Sequence, residues 1–333
     1  MKVLEKTLLP AAFLGFAGVA GAQSTTIFSV DWRGPTIATP DSLTATPITA
    51  GDLLVVSTGT PLLGPVPVPG IYWSHTMMGL LPGCIGMPPG AACPVEVDAL
   101  SFGMDFPLAA PQGFQPGELH FSVDSFATGV LASPLPPHVG MEAPAFDAAA
   151  DAMTNFMLIP AGPIAPGPPF GHRGILDGDG FPSVSGHTYP GLGLIEPCPA
   201  VPGPIAQGDN LDALDTILPG LPNMGVYFSL EGQIVDPLTG VPASGSALAH
   251  GFTGADVLFS QPGGAPVLYA PGVMLGLNLA VGLFPDDLDA MILWENGDGI
   301  YQPSQLPMDW MGGATDMLLF SVRRGSPVLG MPD

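Results

Sequence analysis

Apolar residues in this chain fall in short runs of about four to seven, cut apart by glycine, proline, asparagine and aspartate. The runs are rich in Val, Ile, Phe and Tyr and too short for ordinary helices, so they predict β-strands. GVYFSL alternates apolar and polar positions only weakly, the pattern of a strand buried on both faces. Proline at this density argues further against long helices, because it removes a backbone donor and clashes with the preceding turn.

Four motifs recur in fixed order. The first ends an aromatic strand in Phe-Ser-Val/Leu: TIFSVD at Phe28, LHFSVD at Phe121, VYFSLE at Phe228 and LLFSV at Phe320. The second is a small residue, then Asp, then an apolar run: AGDLLVV at Asp52, AADAMTNF at Asp151 and GADVLFS at Asp256. The third carries an aromatic residue and ends in Gly-Leu: IYWSHTMMGL, HTYPGLGL and VLYAPGVMLGL. The fourth is acidic: VEVDALSF at Asp98, DNLDALD at Asp212 and DDLDAMIL at Asp289. Rounds over approximately 27–118, 119–224 and 225–317, with a closing strand at 318–330, make residues 23–333 one β-repeat domain. The second and fourth motifs are alike, and halving each round gives six Asp-headed units spaced like propeller blades. The expected fold is therefore all-β and closed, a six-bladed β-propeller, with a threefold trefoil- or prism-like fold as the alternative. Closure would hide the sheet edges that an all-β protein must protect.

Composition adds a compartment and several exclusions. Residues 1–22 read as a signal peptide: Lys2 and Lys6, a short apolar stretch, then Ala20-Gly21-Ala22 before Gln23. The expected location is secreted or periplasmic. With 47% hydrophobic and 11% charged residues, the chain has the means to build a core. Its 46 glycines and 42 prolines fall between apolar runs as turn punctuation. Without the leader no lysine remains, and the only basic side chains besides histidine are Arg33, Arg173, Arg323 and Arg324. Losing Lys2, Lys6 and Glu5 makes the formal charge of −23 one unit more negative. Nucleic acid is excluded as a partner for want of clustered cations, and anionic membranes for the same reason. Chemistry that needs lysine, such as a Schiff base or a Walker phosphate loop, is excluded too.

The combination FSVD, AGDLLVV/GADVLF, LGL, DNLDALD/DDLDAMIL, ENGDGIY and LLFSVRRGSP resembles uncharacterised exported bacterial β-repeat proteins. The resemblance spans the chain beyond its leader. It implies a secreted repeat protein and carries no site.

The candidate chemistry is thin. Cys84 and Cys93 flank a turn-rich segment that a disulfide would close, leaving Cys198 odd. Calcium takes hard oxygen ligands, so Asp177 and Asp179 in DGDG, Asp286 and Asp287 in DDLD, and Asp298 in NGDG are its candidates. None fits an EF-hand loop, and Asp-Gly pairs also simply build tight turns. Asp98, Asp212 and Asp289 recur once per round, as a strand-entry device would; a catalytic residue has no reason to appear in every unit. The residues that break the repeat lie in GHRGILDGDGFPSVSGHTYPG, where His172, Arg173 and His187 are the catalytic candidates. A polar surface loop explains that segment equally well. The chain is thus expected to be a non-enzymatic binder of a glycan, a protein or a cell-surface component. The alternative is a secreted hydrolase or lyase with a carboxylate-lined central funnel.

Overall fold

The computed structural model describes residues 27–32, 34–56, 67–81, 95–101, 119–131, 136–145, 147–155, 171–181, 186–187, 189–196, 209–216, 225–232, 245–277, 280–281 and 284–330. The leader, Cys84, Cys93 and Cys198 lie outside these residues. Among those described, the chain is mostly strand, in small antiparallel sheets with a few short helical turns. No helix there is long and apolar enough to cross a membrane.

The first sheet holds β1 (Ile27–Phe28), β2 (Leu53–Val55) and β3 (Gly70–Trp73). A two-stranded ribbon pairs β4 (Leu80–Leu81) with β7 (Thr128–Gly129). The second sheet runs β5 (Leu100–Ser101), β6 (Leu119–Phe121), β8 (Ala152–Asn155), β9 (His172–Leu176). The third runs β10 (Leu211–Thr216), β11 (Val226–Leu230), β12 (Val257–Ser260), β13 (Val267–Ala270). A short ribbon pairs β14 (Ala280–Val281) with β15 (Phe284–Pro285), and the last sheet pairs β16 (Leu288–Trp294) with β17 (Met317–Val322).

Each complete sheet therefore takes one strand of each kind, in the order acidic, Phe-Ser, small-Asp, outer. The motif phenylalanine sits centrally: Phe121 lies opposite Leu100 and Met153, Phe228 opposite Leu214 and Leu258. The first sheet lacks the acidic strand and the last lacks the two outer strands among the described residues.

This corrects two expectations. The six Asp-headed strands do not head six sheets, because Asp98 and Asp151 enter one sheet and Asp212 and Asp256 another. No closed barrel or propeller is formed among the described residues. In the second sheet the outer strand is His172–Leu176 rather than HTYPGLGL, so this part of the segment read as a surface loop lies in a sheet.

The sheets stack in chain order with a core between each neighbouring pair. Leu53, Trp73, Leu119 and Phe121 fill the first core; Leu176, Leu211, Phe228 and Leu258 the second; Tyr227, Val257, Leu288 and Met291 the third. Strand β11 is buried at every position. Its Val226, Phe228 and Leu230 enter one core and Tyr227 the next, the two-residue period of a strand between two packed layers.

Candidate functional site

The recurring aspartates divide into two classes. Asp52, Asp151 and Asp256 each tie the start of one strand to the residue two past the end of the next. Asp52 accepts from the His75 N–H at 2.6 Å, Asp256 from the Gly272 N–H at 2.7 Å, and Asp151 from the Gly178 N–H at 3.1 Å. Asp52 and Asp256 also accept the N–H three residues before them, from Thr49 and Thr253. This is the backbone-capping role that short acidic side chains perform in turns. It also explains a shared irregularity, a register shift just after the Asp in all three sheets.

The acidic-strand aspartates do something else. The register skips Asp212 between Leu211 and Ala213, and Asp289 between Leu288 and Ala290. An extra residue in one strand re-aims its side chain. In these positions the carboxylates gather with the residue two before them and the residue after each Phe-Ser-Val/Leu. The resulting acid belt holds Glu96, Asp98 and Asp124; then Asn210, Asp212 and Glu231; then Asp287, Asp289 and Arg323.

Backbone and side-chain bonds join the belt across the sheets. Trp32 N–H donates to Glu96 Oε2 at 2.8 Å between the first and second sheets, and Gly232 N–H repeats this between the third and the last, to Asp287 Oδ1 at 3.1 Å. Asn210 Nδ2 donates to Asp98 Oδ2 at 2.8 Å and Glu231 Oε2 at 3.3 Å. Arg323 Nη1 reaches Glu231 Oε1 at 3.0 Å and Asp287 Oδ2 at 3.6 Å. It occupies the position that is Asp31, Asp124 or Glu231 in the other copies.

Desolvation dominates the electrostatics. Burial pushes Glu96 up to about 7, with Asp31 adding to it, against the lowering effect of a hydrogen bond to Asp98. Asp98 is raised well above the carboxylate range by burial, then by Glu96, Asp124 and Asp212. Asp212 is raised by burial and by Asp287 and Glu231. Burial brings Asp287 to about 7, although Arg323 draws it down. Burial and the Glu96–Asp98 hydrogen bond thus favour the protonated form of the pair.

A second acidic cluster forms where β8 begins and β9 ends. Asp151, Asp177 and Glu196 bring carboxylate oxygens within 4.8 Å of one another. Tyr189 Oη donates to Asp151, while Asp177 accepts from the Asp179 and Gly180 N–H groups and Glu196 from the Asp179 N–H. Burial and neighbouring acids raise Asp151 and Glu196 well above their usual range and bring Asp177 to about 7.

The other candidates disperse. His172 is buried, its Nδ1 on the Met78 carbonyl at 2.7 Å and its Nε2 accepting from the Val139 N–H at 2.9 Å. Burial lowers it to about 4. Arg173, next along the strand, and His187 are exposed. Asp179 accepts from the Phe181 N–H, Asp286 from the Val328 N–H, and Asp298 from the Ile300 N–H, all as turn caps. Glu295 closes the ENGDG turn by accepting from Gly297 and Gly299, both at positive φ. Of the calcium candidates, Asp177 joins the second cluster and Asp287 the belt. Sequence reasoning did not single out Glu96, Asp124, Asn210, Glu196 or Arg323. For all but Glu196 the available signal was their fixed place beside a repeated motif.

The belt can hold protons or a hard cation, and its Glu96–Asp98 pair has the donor–acceptor character of an acid–base couple. Compared with protein-family models, curated proteins and solved structures, the chain matches none.

Proposed function

We propose that this is an exported, non-enzymatic β-repeat protein that binds a partner protein on the outer face of its last sheet. One observation carries the reading. Leu319 stands where Tyr227 stands in the third sheet, facing the position of a following sheet. Tyr227 is 3% exposed beneath that sheet, whereas Leu319 is 53% exposed with no sheet over it among the described residues. Phe320, equivalent to the fully buried Phe121 and Phe228, is 39% exposed because no third strand flanks β17 among the described residues. Open strands with apolar side chains are where another sheet or extended chain docks. The partner's chemistry follows from the stack: an apolar strand offering Leu-like side chains and a backbone carbonyl.

The finer architecture belongs to the same proposal. Asp31 of the first sheet acts on Glu96 and also on Asp289 of the last, which supports a propeller-like ring of sheets left open at one wedge. The partner fills that wedge. The histidine best placed by sequence for acid–base work has both ring nitrogens engaged in the core, which supports a binding role over catalysis.

The test compares the chain from Gln23 onward with Leu319→Asp. Proteins retained from the cell envelope are identified, purified and rebound; binding by the wild type and its loss in the variant supports the reading. Equal binding by both removes this face as the site, and retention on polysaccharide regardless of Leu319 makes the ligand a glycan. The hydrolase reading is favoured by the hydrogen-bonded Glu96–Asp98 pair alone. Reducing ends released from polysaccharide, and abolished by Asp98→Asn, would establish it.

A further inference from the structure

The fourth and second sheets solve the same electrostatic problem with different material. In the fourth, Arg323 stands beside Asp287, within reach of Glu231, and its charge also acts on Asp212. In the second, the equivalent position is Asp124, so a third carboxylate stands where the guanidinium would be. Glu96, Asp98 and Asp124 then bring oxygens within 4.8 Å of one another, half-buried and with access to water. Asp212 of the next sheet also acts on Asp98; it is 8% exposed and its Oδ2 is buried without a hydrogen-bond partner, although Asp287 and Glu231 act on it more strongly. Asn210, whose Nδ2 holds Asp98, likewise leaves its amide oxygen buried and unbonded. A buried oxygen with no donor is costly, and natural structures leave few of them.

We propose that Glu96, Asp98 and Asp124, with Asp212 beside them, bind a calcium ion that does in the second sheet what Arg323 does in the fourth. The donors are hard oxygens in a flexible, partly hydrated array, which suits calcium over magnesium, whose octahedron is smaller and stricter. The half-buried setting leaves room for water to complete the coordination. In the second acidic cluster Tyr189 and backbone N–H groups serve Asp151 and Asp177, while Glu196 Oε1 is buried without a hydrogen-bond partner; it is the alternative site, which Asp151→Asn tests. This site is independent of the partner face on the last sheet.

The experiment titrates calcium chloride into the chelator-treated chain from Gln23 onward, by calorimetry and by thermal melting, with magnesium chloride in parallel. Saturable calcium binding, a raised melting temperature and a much weaker magnesium response are expected. Asp98→Asn should weaken calcium at least about tenfold, and Asp151→Asn should leave the response in place. Should Asp98→Asn fail to fold, Asp124→Arg keeps the question open to test. It installs the guanidinium of the fourth sheet in the second and should melt without calcium as the wild type melts with it. No calcium response in the wild type, an equal magnesium response, or an undiminished response in Asp124→Arg would overturn the assignment.

Discussion

Ser122 Oγ donates to the carbonyl of Leu211 at 2.7 Å, from the second sheet to the third, and Ser229 repeats the bond to Leu288 at 2.9 Å, from the third to the fourth. In each case the serine of one Phe-Ser motif meets the leucine before the next acidic-strand aspartate. The sheets are therefore stitched together by the same pair of motif positions. Ser321, the last such serine, has no following sheet among the described residues and reaches Asp289 within its own sheet at 3.3 Å.

Removing a stitch should cost more where it is buried. Ser229→Ala strands the Leu288 carbonyl and should destabilise the chain by about 1–3 kcal/mol. Ser321→Ala, on an exposed serine, should fall within about 0.5 kcal/mol of wild type. Urea denaturation of both variants measures the difference.

The motif phenylalanines should differ in the same way. Phe121→Ala and Phe228→Ala empty fully buried sites and should each cost about 3–5 kcal/mol. Phe320→Ala removes a ring already partly in water and should cost well under half of that. Equal losses at all three positions would show that something covers Phe320 in solution.

The hairpin clamps should be visible amide by amide. Asp256→Ala takes acceptors from the Thr253 and Gly272 N–H groups. Bonds to a charged acceptor contribute about 1.5–3 kcal/mol each at most, so the loss should be of that order. Hydrogen exchange should accelerate at Gly272 before it does in β11, the central strand.

Stability should rise on mild acidification when calcium is absent. Burial raises Glu96, Asp177 and Asp287 to about 7 in the folded chain, against ordinary values of 4.5, 3.8 and 3.8. A raised folded pKa means the folded state holds protons the unfolded state releases. That contribution is complete below the ordinary values and lost as pH climbs through 7. His172 opposes it: lowered to about 4 from 6.5, its contribution is complete above 6.5 and lost as pH falls. The carboxylates outnumber it, so in chelator the melting temperature should be higher near pH 5 than near pH 8. A flat or reversed profile would show that these acids are solvated in solution.

Much of this was legible because each motif performs one repeated task. Strand identity follows from AGDLLVV and GADVLFS read side by side, but the strand-entry role read for Asp98, Asp212 and Asp289 falls instead to Asp52, Asp151 and Asp256. The pairing of motifs into sheets was not legible, since Asp98 and Asp256 look alike in sequence. What separates them is a register shift beside a neighbouring strand, which only the fold supplies. The belt was hidden for a related reason. Glu96, Asn210 and Asp287 share a position but not a chemistry, and Arg323 reverses the charge of its counterparts. The segment from His172 onward misled because its histidine and acids resemble a site, whereas β9 places His172 in a core.

The serine-to-leucine stitch also says how such a chain lengthens. A stretch such as Asp209 to Leu277 carries both halves of the joint, with Leu211 receiving at its start and Ser229 donating onward. Copied in tandem, it would regenerate a junction on either side without altering its neighbours. The number of sheets is then a quantity that gene duplication can set.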